Sequence, residues 1–131
     1  MTDRPTARTN ERIDKPWGHE EIFALVEGRY VGKTLHVTGR ESLSLQWHHE
    51  KDETIAVLSG QVEIDLGTSE DNLQAVPVAP GEAVHVPAGL LHRVRALTDA
   101  VLVEASTAAA GWREDVVRIE DRYGRSGTHT P

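Results

Sequence analysis

The chain has no cysteine among its 131 residues. Disulfides, thiolate nucleophiles and sulfur-ligated metals are therefore excluded, and any metal must be held by nitrogen and oxygen donors. Positive charge is also short: 14 Lys and Arg face 21 Asp and Glu, for a formal charge of −7. Nonspecific contact with nucleic acid or an anionic membrane surface needs a basic field, so neither is expected as a partner. A small anion stays possible, because a local group of Arg and Lys can hold one. Aromatic residues make up only 5%, so the core must be built from Val, Leu, Ile and Ala. No apolar run approaches the roughly 20 residues that cross a bilayer. The opening stretch MTDRPTARTNERIDK has no apolar centre of the kind a secretory signal needs. The expectation is one soluble, cytoplasmic domain.

What the chain does have is short apolar segments punctuated by turn residues. Segments at 20–27, 30–37, 43–48, 54–60, 61–66, 74–79, 82–87, 92–97 and 100–106 are rich in Val, Ile and Leu and partly alternate. Pro77, Pro80 and Pro87 argue against helix across the middle. Many short strands at near-even spacing predict an all-β sandwich or barrel. Residues 1–14 show no periodicity and are expected to be a flexible arm, and residues 126–131 a flexible tail. The charged stretch 111–125 allows either a helical turn or a last strand.

The densest polar stretch is LSLQWHHEKDE, residues 43–53. In a strand, residues two apart share a face. Leu43, Leu45 and Trp47 then form an apolar side, with Trp47 expected in the core, and Ser44, Gln46 and His48 form the other. Glu50, Lys51 and Asp52 read as a charged turn. Further on, PGEAVHVPAGLLHR (80–93) closes a strand with a Pro-Ala-Gly turn and places His92 at the start of the next. His92 can meet Gln46, His48 and Glu53 if those strands are neighbours.

The spacing Gln46-x-His48-x4-Glu53-x6-Gly60 resembles the first cupin motif, with Gln in place of its usual first His. The spacing Gly81-x5-Pro87-x-Gly89-x2-His92 resembles the second. Within the cupins, KPWG (15–18), Lys33, LSLQWHH, VPAGLLHR and EDVVRIEDRYGR (114–125) resemble the mannose-6-phosphate isomerase domain of the type II family. In that family the domain is often fused behind a guanylyltransferase; here it is expected as a stand-alone cupin domain over 15–125. The pattern departs from the family at Gly39-Arg40, Glu50, Thr54-Ile55, His85 and Ala96, around the pocket and not at the four metal positions.

The resemblance implies a double-stranded β-helix and one divalent metal on Gln46, His48, Glu53 and His92. Zn is the first expectation, with Mn, Fe, Co and Ni also suited to these donors. It implies isomerisation of mannose 6-phosphate to fructose 6-phosphate through a metal-stabilised enediolate. Base candidates are His85, Lys33, Glu50 and His36, and phosphate candidates are Arg122, Arg125, Arg93 and Arg95, since guanidinium grips phosphate through two donors. Alternation turns Arg93 away from the face of His92. The alternatives are a non-catalytic metal- and sugar-binding cupin and an Fe(II) oxygenase. A homodimer is expected, with the EIFALVE segment (21–27 with Glu20) as the strand available to a second chain.

Overall fold

The computed structural model describes residues 6–129. Eleven strands run in chain order: β1 Glu11–Lys15, β2 Gly18–Val26, β3 Tyr30–Val37, β4 Leu45–Trp47, β5 Glu53–Ser59, β6 Val62–Gly67, β7 Gln74–Val78, β8 Ala83–Val86, β9 Leu91–Ala96, β10 Ala100–Thr107 and β11 Val117–Glu120. One 3-10 turn, Glu70–Asn72, interrupts them. They form a six-stranded sheet, β1-β2-β3-β10-β5-β8, and a five-stranded sheet, β11-β4-β9-β6-β7. Every pairing is antiparallel. This is the double-stranded β-helix expected from the motifs.

Alternation decides what lies between the sheets. Leu35 and Val37 of β3, Ile55 and Val57 of β5, Val62 and Ile64 of β6, Val94 and Ala96 of β9 and Leu102 of β10 make the main core, with Trp17 packed among them. Ile22, Val31, Ala108 and Trp112 form a second, smaller cluster. Gly18 has φ +148°, and a Cβ there would sit 1.9 Å from the His36 carbonyl oxygen, so only glycine fits the KPWG turn.

Several expectations are corrected. Residues 11–14 are not an arm: they belong to β1, which pairs with β2 from Glu11↔Ile22 to Lys15↔Gly18. Ile13 packs on the second cluster, and backbone pairing holds this otherwise polar segment. Residues 1–5 lie outside the described residues. In the expected tail, Gly127 N donates to Arg118 O and His129 Nδ1 to Val116 O, so 126–129 fold back on β11; residues 130–131 are not described. The 111–125 stretch resolves into turns and a last strand. EIFALVE is flanked by β1 only at Glu21 and Ile22, while Ala24–Val26 pair with β3 alone, so its second half keeps an open edge among the described residues. No helix among the described residues is long and apolar enough to cross a membrane.

Candidate metal centre

The inward face of β4 is its polar one. Gln46 pairs with His92 of β9, whose inward neighbours Val94 and Ala96 are core residues. That register turns Gln46 toward the interior and leaves Trp47 half-buried, edge-on to His49, not in the core. His48 follows β4, Glu53 opens β5 and His92 lies on β9, so three segments converge. The turn before His92 is tied to the loop after β4, since Gly89 N donates to the His48 carbonyl at 2.8 Å.

His48, Glu53 and His92 are all buried, and one donor atom from each lies within 4.8 Å of the others. Glu53 Oε1 is 3.6 Å from His48 Nε2 and 2.9 Å from His92 Nε2. Neither Nε2 has an aligned hydrogen-bond partner, although both are buried. The Nδ1 atoms are occupied: His48 Nδ1 meets Asp115 O, and His92 Nδ1 meets Leu90 O at 3.0 Å. A carbonyl oxygen only accepts, so each Nδ1 carries the hydrogen. In the neutral ring, each Nε2 then presents a lone pair toward Glu53, which is how imidazole ligands are set for a metal. Orphaned buried nitrogens are costly, and a cation among them would satisfy both. The three residues fit a divalent ion. Gln46 stands beside His92, and its Oε1 accepts from Ser44 Oγ at 2.6 Å.

Lys51 sits in the loop between β4 and β5, but its side chain turns inward, away from solvent. Its side chain is only 8% exposed, with Nζ 3.4 Å from Glu53 Oε2 and 2.9 Å from Glu104 Oε2. Burial works against its charge, but Glu104 and Glu53 outweigh burial and raise its pKa. Burial likewise opposes ionised Glu53, yet Lys51 and the two histidines hold its pKa well below the usual carboxylate range. For His92, burial opposes the charged form, and Glu53 overrides it and raises the pKa. Asp115 organises the loop: its carboxylate accepts from His49 N at 2.7 Å and from Glu50 N and Lys51 N, each at 2.9 Å.

Gln46, His48 and Lys51 open onto a cavity of about 80 Å³. Its wall also carries Lys15, Lys33, Arg113, Arg118 and Arg125, against the acidic Glu20, Glu104 and Asp115. The cavity is cationic in an acidic protein, a field that draws in anions. Arg118 is buried with Nε unpartnered, and Lys15 is lowered in pKa by burial and by the nearby Lys33, Arg118 and Arg125 charges.

The other sequence candidates divide cleanly. Lys33 lines the cavity, 3.4 Å from Glu20. Arg125 lines it too, while paired with Asp121 at 2.8 Å. His85 points outward from β8 and meets Asp52 at 2.7 Å. Glu50 is exposed, and His36 lies on the outer face of β3. Arg93 and Arg95 both pair with Asp65 on the outer face of the five-stranded sheet, and Arg122 donates to the Arg40 carbonyl. Alternation on β8 and β9 sends His85, Arg93 and Arg95 away from the interior. Lys51, Glu104, Asp115, Lys15 and Arg118 escaped the sequence reading. The one signal for Lys51 is its two-residue spacing from Glu53.

Residues 2–121 match the sequence family described as Mannose-6-phosphate isomerase C-terminal. Xanthan biosynthesis protein XanB of Xanthomonas campestris pv. campestris is 27% identical over 125 residues, covering 94% of this chain and 26% of that protein. Mannose-1-phosphate guanylyltransferase ManC of Salmonella typhimurium is 29% identical over 118 residues, covering 88% of this chain and 23% of that protein. The chain thus spans about a quarter of the length of these relatives. Among solved structures, the capsular polysaccharide assembling protein CapF from Staphylococcus aureus superposes with a TM-score of 0.75 at 19% identity, over 88% of this chain and 33% of that one. At that identity the likeness concerns the fold alone.

Proposed function

This chain belongs to the mannose-6-phosphate isomerase C-terminal family, and on that premise we propose that it is a metal-dependent isomerase of a phosphorylated sugar, interconverting mannose 6-phosphate and fructose 6-phosphate. One observation carries the reading. Two buried imidazoles present free Nε2 atoms around a buried carboxylate, beside a cavity lined with cations.

His48, Glu53 and His92 would hold the ion, with Gln46 Oε1 beside them as a fourth donor. A divalent ion there would polarise the carbonyl of an open-chain sugar and make the adjacent C–H more acidic. The chain's own residues do the rest. Lys15, Lys33, Arg118 and Arg125 bind the phosphate, taking the role first expected of Arg93 and Arg122. Lys51 stays protonated and offers a fixed donor to the oxygen on which charge develops. Glu104, 2.9 Å from Lys51, is the carboxylate positioned to move a proton. It takes the proton from C2 and returns it to C1, while the O2 hydroxyl proton passes to O1, so aldose and ketose interconvert without net gain or loss. His85 and Glu50, on the outer surface, have no part in this step.

The test is a coupled assay for fructose 6-phosphate formed from mannose 6-phosphate. Protein is stripped of metal and then reloaded with Zn, Mn, Co or Fe(II). Metal-dependent turnover that disappears in Glu104→Gln supports the reading. Stoichiometric metal binding without turnover would refute the isomerase and leave a metal-binding cupin.

A further inference from the structure

The outer face of the six-stranded sheet carries a second set of donors. His19 of β2 lies directly across from His36 of β3. Their rings stack with centroids 4.2 Å apart and planes 7° from parallel. Glu21, two residues along β2 and so on the same face, brings Oε2 to 3.3 Å from His19 Nε2 and 3.2 Å from His36 Nε2. All three side chains are half-buried, and their donor atoms lie within 4.8 Å of one another. Thr34 Oγ1, 3.3 Å from His36 Nε2, adds an oxygen on the same face. A surface groove beside them, reaching Asp99 and Ser59, leaves room for water. The inward residues of the same strands, Glu20 and Leu35, separate this cluster from the buried centre.

We propose that His19, Glu21 and His36 form a second binding site, for a borderline divalent ion such as Zn²⁺ or Cu²⁺. Two imidazoles and a carboxylate are a donor set such ions favour. The three come from directly paired positions on a rigid sheet, so no loop must be ordered to bring them together. Small rotations of the two rings out of their stack would aim both Nε2 atoms at one point. Water would complete the coordination from the open side. A bound ion would clip β2 to β3 and stabilise the folded chain by mass action, independently of turnover.

The test is equilibrium dialysis of the full chain against Zn²⁺, with metal analysis, in wild type, His36→Ala and His48→Ala. The wild type is expected to bind two equivalents, and each variant one. Ring ¹⁵N signals of His19 and His36 should shift on adding Zn²⁺ to His48→Ala. If His36→Ala binds as much Zn²⁺ as the wild type, or the two ring signals do not move, the surface site is refuted. Failure of the buried centre reads differently: His48→Ala would bind as much as the wild type while the His19 and His36 signals still shift. Should His48→Ala not fold, the ring signals are followed in wild type, where the same shift supports the site and its absence refutes it.

Discussion

Replacing Asp115 with alanine should loosen the loop that carries His48. The Asp115 carboxylate accepts three backbone N–H groups, from His49 at 2.7 Å and from Glu50 and Lys51 at 2.9 Å. Hydrogen bonds to a charged group contribute about 1.5–3 kcal/mol each when water cannot replace them. Water can reach His49 and Glu50, which are exposed, so only the bond from buried Lys51 counts nearly in full. The net loss in metal-free protein should be about 2–3 kcal/mol. Alanine keeps the backbone carbonyl that His48 Nδ1 meets, but the loop holding His48 is no longer tied down by the carboxylate, so metal affinity should fall by about 10-fold, the low end of the cost of disturbing a ligand's support. Burial tends to raise the Asp115 pKa, but the N–H groups of Glu50, His49 and Lys51 outweigh it and hold it below the ordinary 3.8. A depressed carboxyl stabilises the fold fully above its unfolded pKa and loses that effect as pH falls through the folded one. The gap between wild type and Asp115→Ala should therefore be constant near neutrality and close below about pH 4. Urea unfolding across pH, with chelator competition for Zn²⁺, measures both effects. Glu114→Ala, an exposed neighbour, serves as control and should change stability by no more than about 0.5 kcal/mol. Unchanged stability and unchanged affinity in Asp115→Ala would refute this role.

Lys51→Met leaves Glu53 and Glu104 buried without their shared cation and should cost metal-free protein about 3 kcal/mol. Saturating Zn²⁺ should recover part of that loss in thermal unfolding, because the ion compensates Glu53. The raised His92 pKa means that Zn²⁺ affinity, followed by chelator competition, should begin to fall at a higher pH than for an ordinary histidine near 6.5. In metal-free protein the sign reverses: the His92–Glu53 contribution is full below 6.5 and is lost as pH rises through the folded value. Arg118→Ala should raise KM for the sugar phosphate more than it lowers kcat, whereas Arg93→Ala and Arg122→Ala, which face outward, should leave steady-state kinetics unchanged.

The strands were legible because their apolar residues recur beside turn residues, and β3 spans 30–37 in the structure as in the sequence reading. β1 was not, because ERIDK offers one apolar residue, and its place is set by pairing with β2. His48, Glu53 and His92 could be picked out because their spacing resembles the two cupin motifs, and the structure brings them together. Lys51 hid inside a run of charges, where a solvated turn is the ordinary reading; its burial rests on Glu53 and on Glu104, the latter 53 positions away on β10. Asp115 reaches the loop from a turn near the other end of the chain, a contact that no local pattern encodes. Among the phosphate candidates Arg125 lines the cavity, and the others face outward for a related reason. Arg93 follows a ligand histidine in sequence but faces Asp65 across the sheet, while Arg118 and Lys15 reach the cavity from strands the sequence left undefined.

The proposed chemistry requires a divalent ion among His48 Nε2, Glu53 Oε1 and His92 Nε2. Anomalous diffraction at the zinc edge, on crystals of the Zn²⁺-loaded chain, tests it most directly. A peak within bonding distance of those three atoms is expected, with both Nδ1 hydrogen bonds to Asp115 O and Leu90 O retained. A Zn²⁺-loaded crystal with no peak there, and with Lys51 and the two histidines packed around Glu53 unchanged, would contradict it.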